Sequence, residues 1–267
     1  MALNLAPSGR WTLRDKAAQR RLALRYASRY PRMTTNHRIV LLIATFLLSF
    51  STLLRAEGQI PIDQVPMYGG MDRSAIPELK AGDEKLITDT TSSYGTREKA
   101  SAAFVNNGFS FYQRDDLANA MRRFNQAWLL NPNNPEVYWG FASVLTDKQK
   151  FCEALRMVET AESKGTLQPG FLPDAGLIFT GCAIEDKTLD PAVRKRYLSR
   201  SDELFSQALA TPGVRKEYTL FHWARAMYGR EDYVGAWDKV AQFRKETDKE
   251  FDPRFIRTLS QKLAEPK

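Results

Sequence analysis

The sequence contains few of the residues that most catalytic and metal sites require. It has two histidines and two cysteines among 267 residues, and it contains no Walker or dinucleotide-binding glycine pattern. A catalytic triad would have to be built on His222, because His37 lies in the N-terminal segment. Two cysteines and one distant histidine do not form a zinc or haem ligand set. The sequence therefore predicts a non-enzyme without cofactor or metal, in which His222 is a packed or partly exposed side chain.

The folded body also lacks an excess of charge. The chain has a net charge of +8 and a pI near 9.4, which would ordinarily suggest nucleic acid as a partner. Residues 1–56, however, contain ten bases and one acid, a net of +9. The remaining residues contain 29 bases and 30 acids, a net of −1. The body is therefore not expected to bind nucleic acid.

The N-terminal segment has the pattern of an export signal. Residues 39–54 form an uncharged apolar run that follows a basic segment, and at 16 residues the run is short for a membrane span. We expect cleavage after Ala56, with a second candidate site at Ser51, and a possible true start at Met33. A signal anchor retained in the inner membrane and an organelle transit peptide are the alternatives. The favoured interpretation is a periplasmic or secreted protein that touches a membrane only if the signal is retained.

A spacing of 34 residues recurs through the body and predicts helical hairpins. Small residues alternate with large ones at fixed intervals, as close packing of two helices requires. The first copy contains Phe104, Gly108, Phe111, Ala120, Phe124 and Ala127, and the second contains Tyr138, Ala142, Leu145, Ala154, Val158 and Ala161. A third copy, lengthened by eight residues, contains Leu177, Gly181, Ile184, Ser201, Phe205 and Ala208, and the last contains Leu220, Ala224, Met227, Ala236, Val240 and Phe243.

This pattern resembles the tetratricopeptide repeat (TPR) family, and with the signal-like segment it implies an exported bacterial protein of that family. The resemblance covers residues 101–250 and implies an all-α, right-handed solenoid of four helix-turn-helix repeats. Residues 57–100 would form a leader and an N-terminal helix, and residues 251–267 a capping helix. Asn107 replaces the usual leucine, and the third copy departs from the family by its insertion. The alternative is a non-repetitive helical bundle.

The resemblance also implies a scaffold or adaptor that binds a protein or peptide in a concave groove lined by the first helix of each repeat. The groove positions in this sequence are Val105, Phe109, Tyr112, Trp139, Ser143, Asp147, Ile178, Cys182, Glu185, Tyr218, Phe221, Arg225 and Tyr228. The Lys/Asn/Arg cluster with which some members of the family hold a terminal carboxylate is replaced by Val105, Phe109 and Trp139.

Such an aromatic groove suits an apolar peptide or helix, or the chain's own extended leader around residues 60–68. Several of these aromatic residues could instead belong to the core. A carbohydrate-binding module or an accessory subunit of an envelope enzyme is the alternative function. Clustered carboxylates facing the aromatic residues across an open cleft would favour that alternative, whereas a groove closed by the leader or one without convergent polar groups would favour the adaptor.

The two cysteines are expected to form a disulfide. Cys152 falls early in the second helix of repeat two, and Cys182 falls late in the first helix of repeat three. Neighbouring antiparallel helices would bring these two ends together, and an oxidising compartment permits the bond. Two buried thiols are the alternative.

Overall fold

The computed structural model describes residues 64–69 and 72–266, and all regular elements in these ranges are helical. The signal segment, both cleavage sites and Met33 lie outside the described residues. The chain divides into two units, Met1–Ile62 and Asp63–Lys267, and the described residues all belong to the second. Two 3-10 turns, Met67–Gly69 and Arg73–Ala75, precede ten α-helices: α1 (Pro77–Tyr94), α2 (Arg97–Tyr112), α3 (Leu117–Leu130), α4 (Pro135–Asp147), α5 (Phe151–Lys164), α6 (Phe171–Glu185), α7 (Pro191–Ala210), α8 (Lys216–Gly229), α9 (Tyr233–Glu246) and α10 (Pro253–Lys262).

Helix boundaries follow capping residues that are visible in the sequence. The side chains of Asn134, Asp190 and Asp252 accept hydrogen bonds from the first backbone N–H groups of α4, α7 and α10, and a proline follows each cap. The predicted N-terminal helix is α1, and it ends at Gly95, whose φ of 85° suits glycine. The predicted C-terminal helix is α10.

The helices pack as four consecutive hairpins, one for each predicted copy. Helices α2, α4, α6 and α8 pack against α3, α5, α7 and α9 respectively, and α2, α4 and α6 each also contact the next first helix. The first helices therefore share one side of the body, which we call the first-helix face. Helix α1 packs on α2 and α3, and α10 packs on α9. The described residues thus form an all-helical fold of adjacent pairs.

Close approach between helices depends on small residues, as the spacing predicts. Phe124 on α3 is fully buried, and a Cβ atom added to Gly108 on α2 or to Gly140 on α4 would overlap its ring. Ala120 and Ala154, at the same position of the first two repeats, have no exposed surface. Phe124 therefore occupies the space that the two glycines leave, and joins the first hairpin to the second.

The predicted disulfide is confirmed. Cys152, in the first turn of α5, and Cys182, in the last turn of α6, have their sulfur atoms 2.08 Å apart. The carboxylate of Glu185 accepts a hydrogen bond of 2.8 Å from the backbone N–H of Cys152 at the same point. At this point, repeats two and three are therefore linked by a covalent bond and a charged hydrogen bond.

The described part of the leader packs on the body as a strap, the name used here for residues 64–69. The side chain of Asn125 on α3 bonds the strap twice: its Nδ2 donates to the carbonyl of Val65 at 2.8 Å, and its Oδ1 accepts from the N–H of Met67 at 2.9 Å. The ring of Tyr68 lies 5.0 Å from that of Phe141 on α4.

The strap lies away from the predicted groove residues of α4. Phe141, which the strap contacts, and Trp139, which was assigned to the groove, are two residues apart on one helix. They therefore point in directions about 200° apart around its axis. The hypothesis that the leader occupies the groove does not agree with these contacts of residues 65–68, and residues 60–62 lie outside the described residues.

Candidate functional site: the first-helix face

The residues assigned to the groove fall into three classes of exposure. Buried are Val105, Ser143, Ile178 and Cys182; half-buried are Phe109, Tyr112, Trp139, Tyr218, Phe221 and Tyr228; exposed are Asp147, Glu185 and Arg225. The buried four, none of which is aromatic, belong to the interior and not to an open groove. The accessible part of the first-helix face is therefore made by six aromatic side chains with charged residues beside them.

The aromatic rings form a connected cluster from α2 to α6. The ring of Phe109 lies 4.8 Å from that of Trp139 and 6.5 Å from that of Tyr112. Trp139 in turn meets Phe171, at the start of α6, edge-on at 6.1 Å. These contacts hold Trp139 between two phenylalanines, so the orientation of its indole is fixed by packing.

A second aromatic cluster continues from α8 to the C-terminal helix. Phe221 lies 5.3 Å from Phe251, which is 2% exposed, and Tyr228 lies 5.6 Å from Phe255 on α10. Tyr218, one turn before Phe221 and His222, meets the His222 ring at 4.2 Å. Helix α8, the first helix of the fourth hairpin, therefore carries aromatic groups along much of its length.

Asp174 on α6 connects the two clusters and was not predicted from the sequence. Its carboxylate accepts a hydrogen bond of 2.9 Å from Nε1 of Trp139 on α4 and one of 2.6 Å from the hydroxyl of Tyr218 on α8. The pKa of Asp174 is raised to about 6, chiefly by desolvation; the charge of Asp147 acts in the same direction, whereas both hydrogen bonds act to lower it. One carboxylate thus joins three consecutive first helices.

In the sequence, Asp174 stands out as a single acidic residue in the otherwise apolar first part of α6. It lies one turn before Ile178, which was assigned to the groove, and the other residues of α6 up to Ala183 are apolar or small and uncharged. A single acid in such a helix is seldom buried without partners. The spacing of the repeat could not reveal which residues those partners were.

Asp147 and Tyr112 form a second polar contact on this face. Desolvation raises the pKa of Asp147, with Asp115 acting in the same direction, while its interaction with the Tyr112 hydroxyl and the charge of Arg225 lower it. Burial, followed by the charge of Asp147, raises the pKa of Tyr112. The face therefore does contain convergent polar groups, the feature expected of a carbohydrate-binding module or an enzyme subunit.

Most polar side chains on this face already have partners within the protein or are neutral. Both oxygens of Asp174 already accept hydrogen bonds from the protein, and the exposed carboxylate of Glu185 accepts one from the Cys152 N–H. Asp147 is the exposed carboxylate beside Tyr112. Burial, with Arg225 and Arg215 nearby, lowers the pKa of His222 to about 3, so its imidazole is neutral at physiological pH. Its buried Nδ1 has no hydrogen-bond partner within the described part of the chain. This arrangement holds helices together and presents aromatic surface.

Residues 64–69 and 72–266 offer no metal site and no membrane-spanning helix. Within these ranges, no three His, Cys, Asp or Glu side chains are grouped so that they could hold a metal ion. None of the helices described there has the length and apolar character needed to cross a membrane.

Comparison with known proteins finds no matching family model, no matching curated protein and no matching solved structure.

Proposed function

We propose that this chain is a non-catalytic adaptor of the cell envelope that binds a protein or peptide partner along its first-helix face. The proposal includes a right-handed arrangement of the four hairpins, of the TPR type, in which this face is concave. The repeat spacing and the pairing of adjacent helices support it.

The main observation behind the proposal is that half-buried aromatic side chains lie on three of the four first helices, α2, α4 and α8. Asp174 on the remaining first helix, α6, bonds to two of them, α4 and α8. Aromatic residues that are fixed by packing lose little entropy on binding and supply most of the energy of many interfaces. The hydrogen-bonding groups of Trp139 and Tyr218 are already satisfied by Asp174. What the face offers a partner is therefore mainly apolar contact, as a peptide or helix with apolar side chains requires.

An exported location is part of the proposal. The Cys152–Cys182 bond is of the kind that persists in oxidising compartments and is rare in the cytosol. The basic segment followed by an apolar run at residues 39–54 has the order of a signal sequence.

The experiment that tests the binding face is selection of peptides on the wild-type chain, followed by affinity measurement on single variants. Phe221→Ala and Tyr112→Ala remove half-buried aromatic groups from two different first helices. Val234→Ala is the matched control, because Val234 is 67% exposed on α9, a second helix. We expect the two aromatic variants to weaken binding at least tenfold and the control to leave it unchanged. Peptides whose affinity is the same for all four proteins would contradict the proposal.

Carbohydrate binding is the second candidate, and the pairing of exposed Asp147 with the half-buried Tyr112 favours it. Aromatic rings and carboxylates together form sugar sites, but the Trp139 ring is packed by Phe109 and Phe171 and its N–H is bonded. A glycan array probed with wild type and Asp147→Asn separates the candidates. Glycan binding that is lost in the variant would favour this second function over the adaptor.

A further inference from the structure

A cavity of about 300 Å³ lies between the end of α9 and the start of α10. We call it the C-terminal pocket, and its lining residues are Arg244 on α9, Glu250 and Phe251 in the connecting segment, and Pro253, Ile256 and Arg257 on α10. Its volume is at the lower end of the range of sites that bind small organic molecules. None of the lining residues was assigned to the groove, so a ligand in this pocket and a partner on the first-helix face can be tested separately.

The apolar part of the pocket is held in place by packing. Phe251 is 2% exposed, and its ring lies 4.9–5.3 Å from three other phenylalanine rings, on α8, α9 and α10. Pro253 and Ile256 are three residues apart on α10 and therefore share one side of that helix. Because packing fixes the ring beneath them, a ligand meets apolar surface that needs no rearrangement.

The charged part of the pocket contains two arginines from two helices. Nη1 of Arg244 donates to the carboxylate of Glu265, which is not a lining residue. Within residues 64–69 and 72–266, no carboxylate lies within ion-pair distance of the Arg257 guanidinium. A guanidinium carries five N–H donors in a planar fork that fits a carboxylate, so donors remain on both arginines. With Glu250 as the acid, the lining has two bases and one acid, a net charge of +1.

We propose that the C-terminal pocket binds a small organic monocarboxylate that carries an apolar ring or a short apolar chain. Arg244 and Arg257 hold the carboxylate, and the apolar part lies on Pro253 and Ile256. The excess of one positive charge selects a monoanion over a cation or a neutral molecule of the same shape. The protein already contains one example of this recognition, because Arg244 binds the carboxylate of Glu265.

The first test measures the binding of hydrocinnamate, and of its neutral amide, to the full chain by isothermal titration calorimetry. We expect the acid to bind at least about tenfold more tightly than the amide, because the amide has no charge for the two guanidiniums. Equal affinities for the acid and the amide, or no binding of the acid, would overturn the proposal.

Matched variants locate the site. Arg257 is exposed, so Arg257→Gln removes a lining guanidinium without opening the core, and it should weaken the binding of hydrocinnamate at least about tenfold. Arg254→Gln is the control, because the Arg254 side chain is 64% exposed on the same helix, lies outside the lining and has its Nε 3.7 Å from Asp252. This control changes the net charge equally and should leave the affinity unchanged. Equal weakening by both substitutions would mean that the overall charge, and not the pocket, holds the acid.

Glu250 provides a test of the opposite sign. Its carboxylate opposes an anion in the pocket, so Glu250→Gln should tighten the binding of hydrocinnamate several-fold. Asp248→Asn removes the same charge from an exposed residue outside the lining and should change the affinity little. Weaker binding to Glu250→Gln, or equal tightening by both variants, would contradict an anion in this pocket.

The last comparison concerns the source of the carboxylate, because a peptide that ends in phenylalanine presents the same chemistry. The side chains of the lining include no amide or hydroxyl group for the additional peptide bonds. We therefore expect a tripeptide ending in phenylalanine, with a free terminal carboxylate, to bind more weakly than hydrocinnamate. Tighter binding of the tripeptide would overturn the assignment of the pocket to a free acid.

Discussion

The hydroxyl of Tyr218 on α8 donates a 2.6 Å hydrogen bond to the carboxylate of Asp174 on α6, 44 residues earlier in the chain. The same carboxylate accepts from Trp139 on α4. Hydrogen bonds to an ionised group are about twice as strong as neutral ones. Loss of this carboxylate would leave both donors, the Trp139 N–H and the Tyr218 hydroxyl, without a partner in a largely desolvated place. Asp174 is therefore the residue on which the mutual orientation of α4, α6 and α8 most depends.

Removal of the Asp174 side chain should destabilise the fold. Asp174→Ala leaves the Trp139 N–H and the Tyr218 hydroxyl without their partner, at a cost of about 1–3 kcal/mol in the free energy of unfolding. Asp174→Asn is the matched control, because its amide can accept from Trp139 and donate to Tyr218. Urea unfolding monitored by circular dichroism should give a lower midpoint for the alanine variant than for the asparagine variant. Equal midpoints for the two variants would show that the hydrogen bonds contribute nothing.

The stability of the protein should depend on pH through Asp174. Its pKa is about 6 in the folded state and near 3.8 when unfolded, so between these values the folded state binds more protons. Stability from this group is fully present below pH 3.8 and is lost as the pH rises through 6. The full shift would correspond to about 3 kcal/mol, and partial solvent access reduces our expectation to about 1–2 kcal/mol.

The measurement for this pH effect is a comparison of the wild type with Asp174→Asn. Other acids contribute to the pH dependence of stability, among them Asp147, whose pKa burial also raises. The difference between the two unfolding free energies removes their common contribution. That difference should shift in favour of the asparagine variant as the pH rises from 4 to 7, and a difference that stays constant would contradict the assigned pKa shift.

The repeat architecture was predictable because packing fixes residue size at fixed intervals. Gly108 and Ala142 occupy equivalent positions: a Cβ added to Gly108 would overlap the Phe124 ring, and Ala142 has no exposed surface. The Cys152–Cys182 pair was predictable for the same reason, because alternation of helix direction places those two ends together.

The exposure and hydrogen-bond partners of residues on the first-helix face were less predictable, because they depend on how far one helix covers the next. Val105 and Ile178 occupy first-helix positions that the resemblance assigns to the groove, yet they are 3% and 1% exposed. Asp174 finds its partners 35 and 44 residues away, and Asn125 holds a strap about 60 residues earlier. Such contacts depend on the register between helices, and the spacing within one repeat does not define that register.

The packing of Phe124 between two glycines gives a third prediction. Gly140→Ala places a Cβ where the Phe124 ring lies, and we expect a loss of about 1–3 kcal/mol from overpacking. Gly82→Ala is the control, because Gly82 lies in the exposed helix α1 with open space around it. That change should stabilise the protein by up to about 1 kcal/mol through helix propensity. Thermal unfolding of both variants measures the contrast, and a neutral Gly140→Ala would show that Phe124 can move aside.

The disulfide between repeats two and three gives the last prediction. The bond closes a segment of 30 residues, and by the chain-entropy model its loss should cost about 2–4 kcal/mol. Cys152→Ser with Cys182→Ser should therefore unfold at lower urea concentration than the oxidised wild type, and reduction of the wild type should give nearly the same midpoint. Glu185→Gln, assayed in the oxidised protein, is the control for the adjacent contact, because its amide oxygen can still accept from the Cys152 N–H. If the reduced and oxidised wild type unfold at the same midpoint, the disulfide adds no stability beyond the helix packing and hydrogen bonds between repeats two and three.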